Sequence, residues 1–236
     1  RLAVSGRRAE RVPPDMRAVF ETWGTALAGL AVVLFFVVAA PNFASPTNLL
    51  NIVKETSFLA ILALGFTLAL ITAELDLSIA DVASLAAVVT GFLIHGGHPP
   101  ALAVAVGLGV GLLCGLVNGV SVTRLRVPAL IATLGMAAMA RGLGFMLTEG
   151  VSFVGRWPTG FTGLARASVW GIPALVLWMA GAAAIALVLV KATRTGARMT
   201  ATGEAEEAAR LSGIATARMK RIGLALSGLA AGLTAV

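Results

Sequence analysis

The stretch ITAELDLSIADVASLAAVV, residues 71–89, sets three carboxylates, Glu74, Asp76 and Asp81, between two apolar runs. A carboxylate in hydrocarbon is costly and is retained only with a partner or a task. Reading this stretch therefore depends on whether its flanks cross a membrane. Hydrophobic residues make up 58% of the 236 residues, charged residues only 12%, and mean hydropathy is +0.93. Soluble domains carry about 25% charged residues. By composition the chain is an integral membrane protein.

A helix crosses the hydrocarbon core with about 20 apolar residues. Runs at 25–40, 58–73, 79–94, 101–122, 127–147 and 168–190 approach that length. A seventh begins near Ile222 and meets the end at Val236 too soon to finish comfortably. Helices satisfy their own backbone hydrogen bonds in lipid, and no ten-residue alternation of a β-barrel is present. The expected fold is all-α, a polytopic transmembrane helical bundle of about seven spans. Segment 1–23 is read as an N-terminal cytoplasmic arm and 24–236 as one transmembrane domain. Arg7, Arg8, Arg11 and Arg17 precede the first run, and Val38, Ala39 and Ala40 resemble a signal-peptidase site. Pro41 directly after them argues against cleavage, so the run is read as a retained span. The first residue is Arg, not Met, so residue 1 is not expected to be the translated start.

Basic residues orient the spans. They cluster in 1–23, in the turn holding Arg124 and Arg126, and in the loop 191–221 with Lys191, Arg194, Arg198, Arg210, Arg218, Lys220 and Arg221. Alternating the spans from a cytoplasmic N-terminus places all three inside, in line with the positive-inside rule. The turn HGGHPP (95–100) then falls outside, as does 148–167 with only Arg156 and Arg166. Lys54, beside Glu55, is a mild exception. The net charge of +7 is accounted for by such loops facing anionic lipid. No basic stretch is interleaved with aromatics, so nucleic acid is not an expected partner.

On this topology ELDLS is a tight cytoplasmic-side turn. Ser78 and Asp81 have the N-cap and N3 spacing of a capping box. Glu74 and Asp76 are less fully explained and are candidates for lining a polar path or contacting another subunit. Gly107, Gly111, Gly115 and Gly119, four residues apart, form a stripe suited to close helix packing. Asn118 in the same helix is a path candidate. Arg141 lies within a span, and is either a snorkelling anchor reaching the outer interface or Glu149, or a path residue.

No GxxxxGK[ST] loop is present, so the chain shows no means of hydrolysing ATP. No catalytic set is suggested. His95 and His98 lack carboxylate or cysteine neighbours, so no metal or other bound cofactor is expected. Cys114, the single cysteine, reads as a packing residue and allows no intrachain disulfide.

The polar loop 191–221 contains TGEAEEAARLSGIATARMKR. Strong helix formers run from Glu204 to Leu211, and Gly213 follows as a helix stop. Ala208, Ala209, Leu211 and Ile214 are small or apolar where a loop should be polar. A short helix with such positions suits docking into a partner's groove.

Three stretches carry a family resemblance. EEAARLSGI (206–214) resembles the EAA-type coupling loop of permease subunits of ATP-binding-cassette (ABC) importers. DLSIADVASLAAVVTG (76–91) is similar to the DLSVGSVLALAG-like segment of that family, and NGVSVTRLRVPALIATLGMAAMARGLGFMLTEG (118–150) to its NG…VPPFIVTLGT…RGL segment. In this order they resemble the ribose/xylose/galactose-type permeases of the branched-chain amino acid/sugar permease superfamily, from about residue 48 onward. The chain departs from the family at three places. It has Ala73 and Glu74 where the family usually has two glycines, Ala80 and Asp81 where Gly-Ser is common, and Glu204-Ala205 within the usual GGN. The family also has further spans, so the chain is expected to be C-terminally truncated relative to it.

The resemblance implies a permease subunit in a bacterial inner membrane, forming the path for a monosaccharide, with Glu74, Asp76, Asn118 and Arg141 as path candidates. It implies a second permease subunit, a periplasmic or lipid-anchored binding protein and a cytoplasmic ATPase, which would carry the ATP and Mg. Gly203, Glu206, Glu207, Ala208, Ala209, Arg210, Leu211, Ser212, Gly213 and Ile214 would form the ATPase-coupling loop. A nucleoside, an autoinducer-type sugar or a branched-chain amino acid are alternative substrates. An ion-coupled secondary transporter is the alternative from another class, and would want midplane ionisable residues on broken, repeated helices.

Overall fold

A computed structural model describes residues 16–153 and 157–236. The expectations for Arg1, Arg7, Arg8, Arg11 and Arg156 lie outside the described residues. The chain divides into two units at residues 51 and 52.

In the first unit, α1 (Met16–Ala39) runs through the first apolar segment, and a turn leads into α2 (Pro46–Leu70). Pro46 at the first helical position needs no backbone donor. Ser45 precedes it and accepts from the Asn48 amide at 3.3 Å, while Asn48 Nδ2 donates to the Phe43 carbonyl at 2.8 Å. These bonds start α2 twelve residues before the apolar run that predicted it at 58.

The second unit holds the rest of α2, then α3 (Ile79–His95), α4 (Pro100–Thr123), α5 (Ala129–Thr148), α6 (Thr159–Arg166), α7 (Ala174–Ala192), α8 (Arg194–Glu204), α9 (Glu206–Leu211) and α10 (Thr216–Ala235). A two-residue hairpin, β1 (Ser168–Val169) and β2 (Ile172–Pro173), precedes α7. Trp170 and Gly171 turn it at φ values of 52° and 81°. The span expected at 168–190 therefore begins at 174, and the helical bundle expected from composition is the observed architecture. Among the described residues four helices, α2, α4, α5 and α7, are long and apolar enough to cross a membrane, with shorter apolar helices at Trp23–Ala39 and Ile79–His95. Much of α7 faces outward, with Leu177, Trp178, Ile185, Leu187 and Val188 exposed, as a lipid-facing helix requires.

The centre of this unit is α3 packed against α4, α5 and α10. Val82, Ala83 and Leu85 of α3 meet Met136 and Ala140 of α5 and Ala231 of α10. The glycine stripe does what its spacing predicts, within one chain. A Cβ on Gly111 would strike the Gly228 carbonyl and the Gly232 backbone. On Gly115 it would strike the Leu224 carbonyl, and on Gly119 the Arg221 Cα at 3.0 Å. Gly107 faces Thr90 Oγ1. Backbone thus touches backbone along the antiparallel α4–α10 seam, which only glycine permits. Gly109 faces open space.

Candidate functional site: the linker 71–78 and the segment α8–α9

The segment between α2 and α3 is not a tight turn. Helix α2 ends at Leu70, three residues before the predicted end. Ala73 then takes φ 61°, a left-handed conformation that costs a residue with a Cβ about 1–2 kcal/mol. From there burial alternates. Thr72, Glu74, Asp76 and Ser78 are buried, while Ala73, Leu75 and Leu77 are exposed. The backbone turns at 71–73 and again at 77–78, and in doing so directs the polar side chains into the protein and the two leucines outward.

Non-helical backbone within a membrane bundle must be satisfied by protein, and Asp76 is the centre of that satisfaction. Its Oδ1 accepts from the Ser78 amide at 3.0 Å and the Ser78 hydroxyl at 2.6 Å. Its Oδ2 accepts from the Ser227 hydroxyl of α10 at 2.7 Å. The Ser78 oxygen in turn accepts from Asn118 Nδ2 of α4 at 2.9 Å. The Thr133 hydroxyl of α5, bonded at 2.8 Å to the Ala129 carbonyl, also lies 3.3 Å from the Leu75 carbonyl. The linker is thereby tied to three helices. Asn118 lies five residues from the end of α4, so the tie is recessed by about 8 Å along that helix.

Two expectations are corrected here. Ser78 and Asp81 do not form a capping box: Ser78 makes no side-chain cap bond, and its oxygen accepts from Asn118 Nδ2 instead of from a backbone amide of α3. Arg141 does not reach Glu149 or snorkel outward. Its Nε and Nη2 bind Asp81 Oδ1 and Oδ2 at 2.6 and 3.0 Å. Arg141 lies twelve residues, about 18 Å, along α5, and its side chain is 71% exposed. Of the four path candidates, then, Glu74, Asp76 and Asn118 are buried and bonded within the chain. Arg141 presents charge on the surface of the bundle.

The polar loop holds two helices where one short helix was expected. Met199 and Thr202 of α8 are buried, and Thr193 caps it by accepting from the Gly196 amide at 3.0 Å. No run of apolar residues announced α8, since only every third or fourth position is buried. A Cβ on Gly203 would strike the Ile71 carbonyl and approach the Ala73 amide to 3.2 Å, so α8 ends against the start of the linker. Ala205 breaks the helix, and α9 follows.

Helix α9 ends as the sequence predicts. Gly213 takes φ 80°. The Ile214 amide donates to the Ala209 carbonyl and the Gly213 amide to the Arg210 carbonyl, both at 3.0 Å. That pair of bonds is a Schellman stop. Ala209 is buried, whereas Glu206, Glu207, Ala208, Arg210, Leu211, Ser212 and Gly213 are exposed and Ile214 is partly so. Leu211 is 78% exposed. Glu207 bonds Arg210 at 2.6 Å. That hydrogen bond, reinforced by the guanidinium charge, holds the Glu207 carboxyl below its ordinary range.

Lys220 stands in the second turn of α10, before its apolar part. Its ammonium lies 2.8 Å from Glu74 Oε1 of the linker and 2.8 Å from Glu206 Oε2 of α9. Burial alone would pull this lysine down, but hydrogen bonds to Glu206 and Glu74 outweigh it and hold its pKa above the ordinary value. In the sequence Lys220 is marked only as one basic residue among several in the loop 191–221. At the C-terminal end of α3, His95 packs against Phe153 and Trp157 with ring centroids at 5.0 Å. Among the described residues no cluster of His, Cys, Asp and Glu could hold a metal ion.

A bundle of long apolar helices around a buried polar linker and a glycine seam is the architecture of a polytopic membrane permease. The chain belongs to the family described as branched-chain amino acid transport system/permease component, which matches residues 48–236. It is 35% identical over 218 residues to the ribose import permease protein RbsC of Escherichia coli (strain K12), covering 89% of this chain and 66% of that one. It is 31% identical over 236 residues to the L-arabinose transport system permease protein AraH of the same strain, covering 100% of this chain and 71% of AraH. To the autoinducer 2 import system permease protein LsrC of Escherichia coli O9:H4 (strain HS) it is 30% identical over 210 residues, covering 88% and 61%. The chain thus spans about two thirds of the length of the E. coli ribose permease. No solved structure matches it.

Proposed function

We propose that this chain is the transmembrane permease subunit of an ABC importer for a monosaccharide, coupled to a separate ATPase through α9. The observation that carries this reading is the geometry of α9. A six-residue helix, closed by Gly213, holds Ala208 and Leu211 outward beside the Glu207–Arg210 pair. Exposed apolar side chains on a polar segment suit insertion into a partner's groove. In this reading the end of the bundle carrying α8 and α9 is cytoplasmic, as is the N-terminus. ATP and Mg sit on the ATPase. A second permease subunit and a periplasmic or lipid-anchored binding protein complete the importer. Closure of the ATPase moves α9 as a rigid body and switches the path between outward and inward access. In this reading Arg141, exposed and paired with Asp81, borders the path, and the buried Glu74, Asp76 and Asn118 are its inner polar candidates. The similarity to ribose, arabinose and autoinducer 2 permeases supports a sugar or sugar-derived substrate.

The test is co-purification. The full-length permease is expressed with the ATPase encoded beside it, solubilised gently and captured. The two are expected to elute together, and Gly213→Arg is expected to abolish this, because a side chain at φ 80° is strained and opens the helix stop. Absence of the ATPase even with the unmodified chain overturns the importer reading and favours an ion-coupled carrier.

A further inference from the structure

We propose that Lys220 is the transmission residue that carries movement of α9 to the linker 71–78, and through it to the interior of the bundle; this rests on the importer reading above. Lys220 is the one described group that touches both segments through charge, with Glu206 of α9 on one side and Glu74 of the linker on the other, each at 2.8 Å. Its side chain is only 17% exposed, and that of Glu74 only 9%. Burial sets this pair apart from an ordinary surface contact, since neither charge has free access to water once the other moves away. Displacing Glu206 therefore leaves Lys220 with one carboxylate, and the ammonium follows the remaining charges.

What lies beyond Glu74 makes the movement consequential. Two residues on, Asp76 holds the linker to Ser227, and through Ser78 to Asn118. Ala73, one residue before, is already in a strained left-handed conformation, and α8 ends against this same backbone at Gly203. A non-helical segment held largely by side-chain bonds has no helical ladder to resist rearrangement. Discrete changes of partner are how packed elements switch. The route runs from α9 through Glu206, Lys220 and Glu74 by ion pairs, and from Glu74 to Asp76 along two residues of backbone.

The experiment reads the linker directly and needs no knowledge of the transported sugar. Leu77, exposed beside Asp76, is replaced by cysteine in the full-length permease from which other cysteines, Cys114 included, have been removed. The complex with its ATPase is labelled with a fluorescent maleimide, nucleotide-free and after vanadate trapping. Trapping is expected to change the labelling rate by at least about fivefold, the lower end of allosteric coupling. Lys220→Met is expected to abolish that change while the ATPase still co-elutes and still traps nucleotide. Lys220→Arg, which keeps both ion pairs, is expected to preserve it. Co-elution and trapping in Lys220→Met show that the variant is folded and docked, so a lost response is not a lost structure. A full response in Lys220→Met, or no response in the unmodified complex, overturns the proposal and leaves the importer reading standing. Failure of the ATPase to co-elute with the unmodified chain overturns the importer reading itself, and the proposal with it.

Discussion

Arg141 of α5 holds Asp81 of α3 in a two-point grip, Nε to Oδ1 at 2.6 Å and Nη2 to Oδ2 at 3.0 Å. The pair joins two parallel spans and neutralises a guanidinium that would otherwise stand alone on the bundle surface. Planar, bidentate pairing of this kind fixes orientation as well as charge. Removing one partner should therefore be worse than removing both. Asp81→Ala is expected to lower the membrane yield and the melting temperature in detergent. Adding Arg141→Leu to Asp81→Ala is expected to restore both, read by fluorescence-detected size exclusion after heating.

Asp76 should be less forgiving. It accepts three hydrogen bonds while almost fully buried. Ser227→Ala removes one bond to a buried acceptor, a loss of about 1–3 kcal/mol. Asp76→Ala strands donors from Ser78 and Ser227 and is expected to cost clearly more. The ranking of the two variants in a thermal melt checks this, and equal melting temperatures would refute it.

Ala73 tests the backbone of the linker. At φ 61° a Cβ is strained by about 1–2 kcal/mol. Glycine relieves that strain but loses about 0.4–1 kcal/mol through the freer unfolded chain. Ala73→Gly should be neutral to mildly stabilising. Ala73→Val, which puts a β-branched residue in the same conformation, should lower the melting temperature. If both melt alike, the left-handed conformation is not what position 73 demands.

The α4–α10 seam offers a paired control within one helix. Gly111 meets the backbone of Gly228 and Gly232, whereas Gly109 meets nothing. Gly111→Leu should therefore separate the helices, at a cost of about 1–3 kcal/mol or more. Gly109→Leu should be tolerated and is expected to insert and melt normally.

The departures from the family pattern, noticed first as letters, acquire a physical reading. Glu74 and Asp81 both introduce carboxylates where the family usually has small residues. Each has a cation waiting, Lys220 for Glu74 and Arg141 for Asp81. The sequence displayed all four residues but not the pairing. Ser78 and Asp81 have the spacing of a capping box, yet the Asn118 amide of α4, 40 residues away, takes the serine oxygen that a cap would need. Helix α8 is not legible in the sequence because its buried positions are a glycine, a methionine and a threonine. Such residues carry no apolar stripe.

What the sequence determined by itself was everything that depends on neighbours in the chain. Hydrophobic runs specify membrane helices, a four-residue glycine repeat specifies a face for close packing, and Gly213 after a run of helix formers specifies a stop. The family membership rests on the same local order of residues. Only the tertiary structure decided the fate of the charges. Asp76 meets Ser227 across 151 residues, and Arg141 meets Asp81 across 60. Helical period and composition are local properties. Which charged side chain ends beside which is set by the depth and rotation at which whole helices pack, and no window of sequence encodes that.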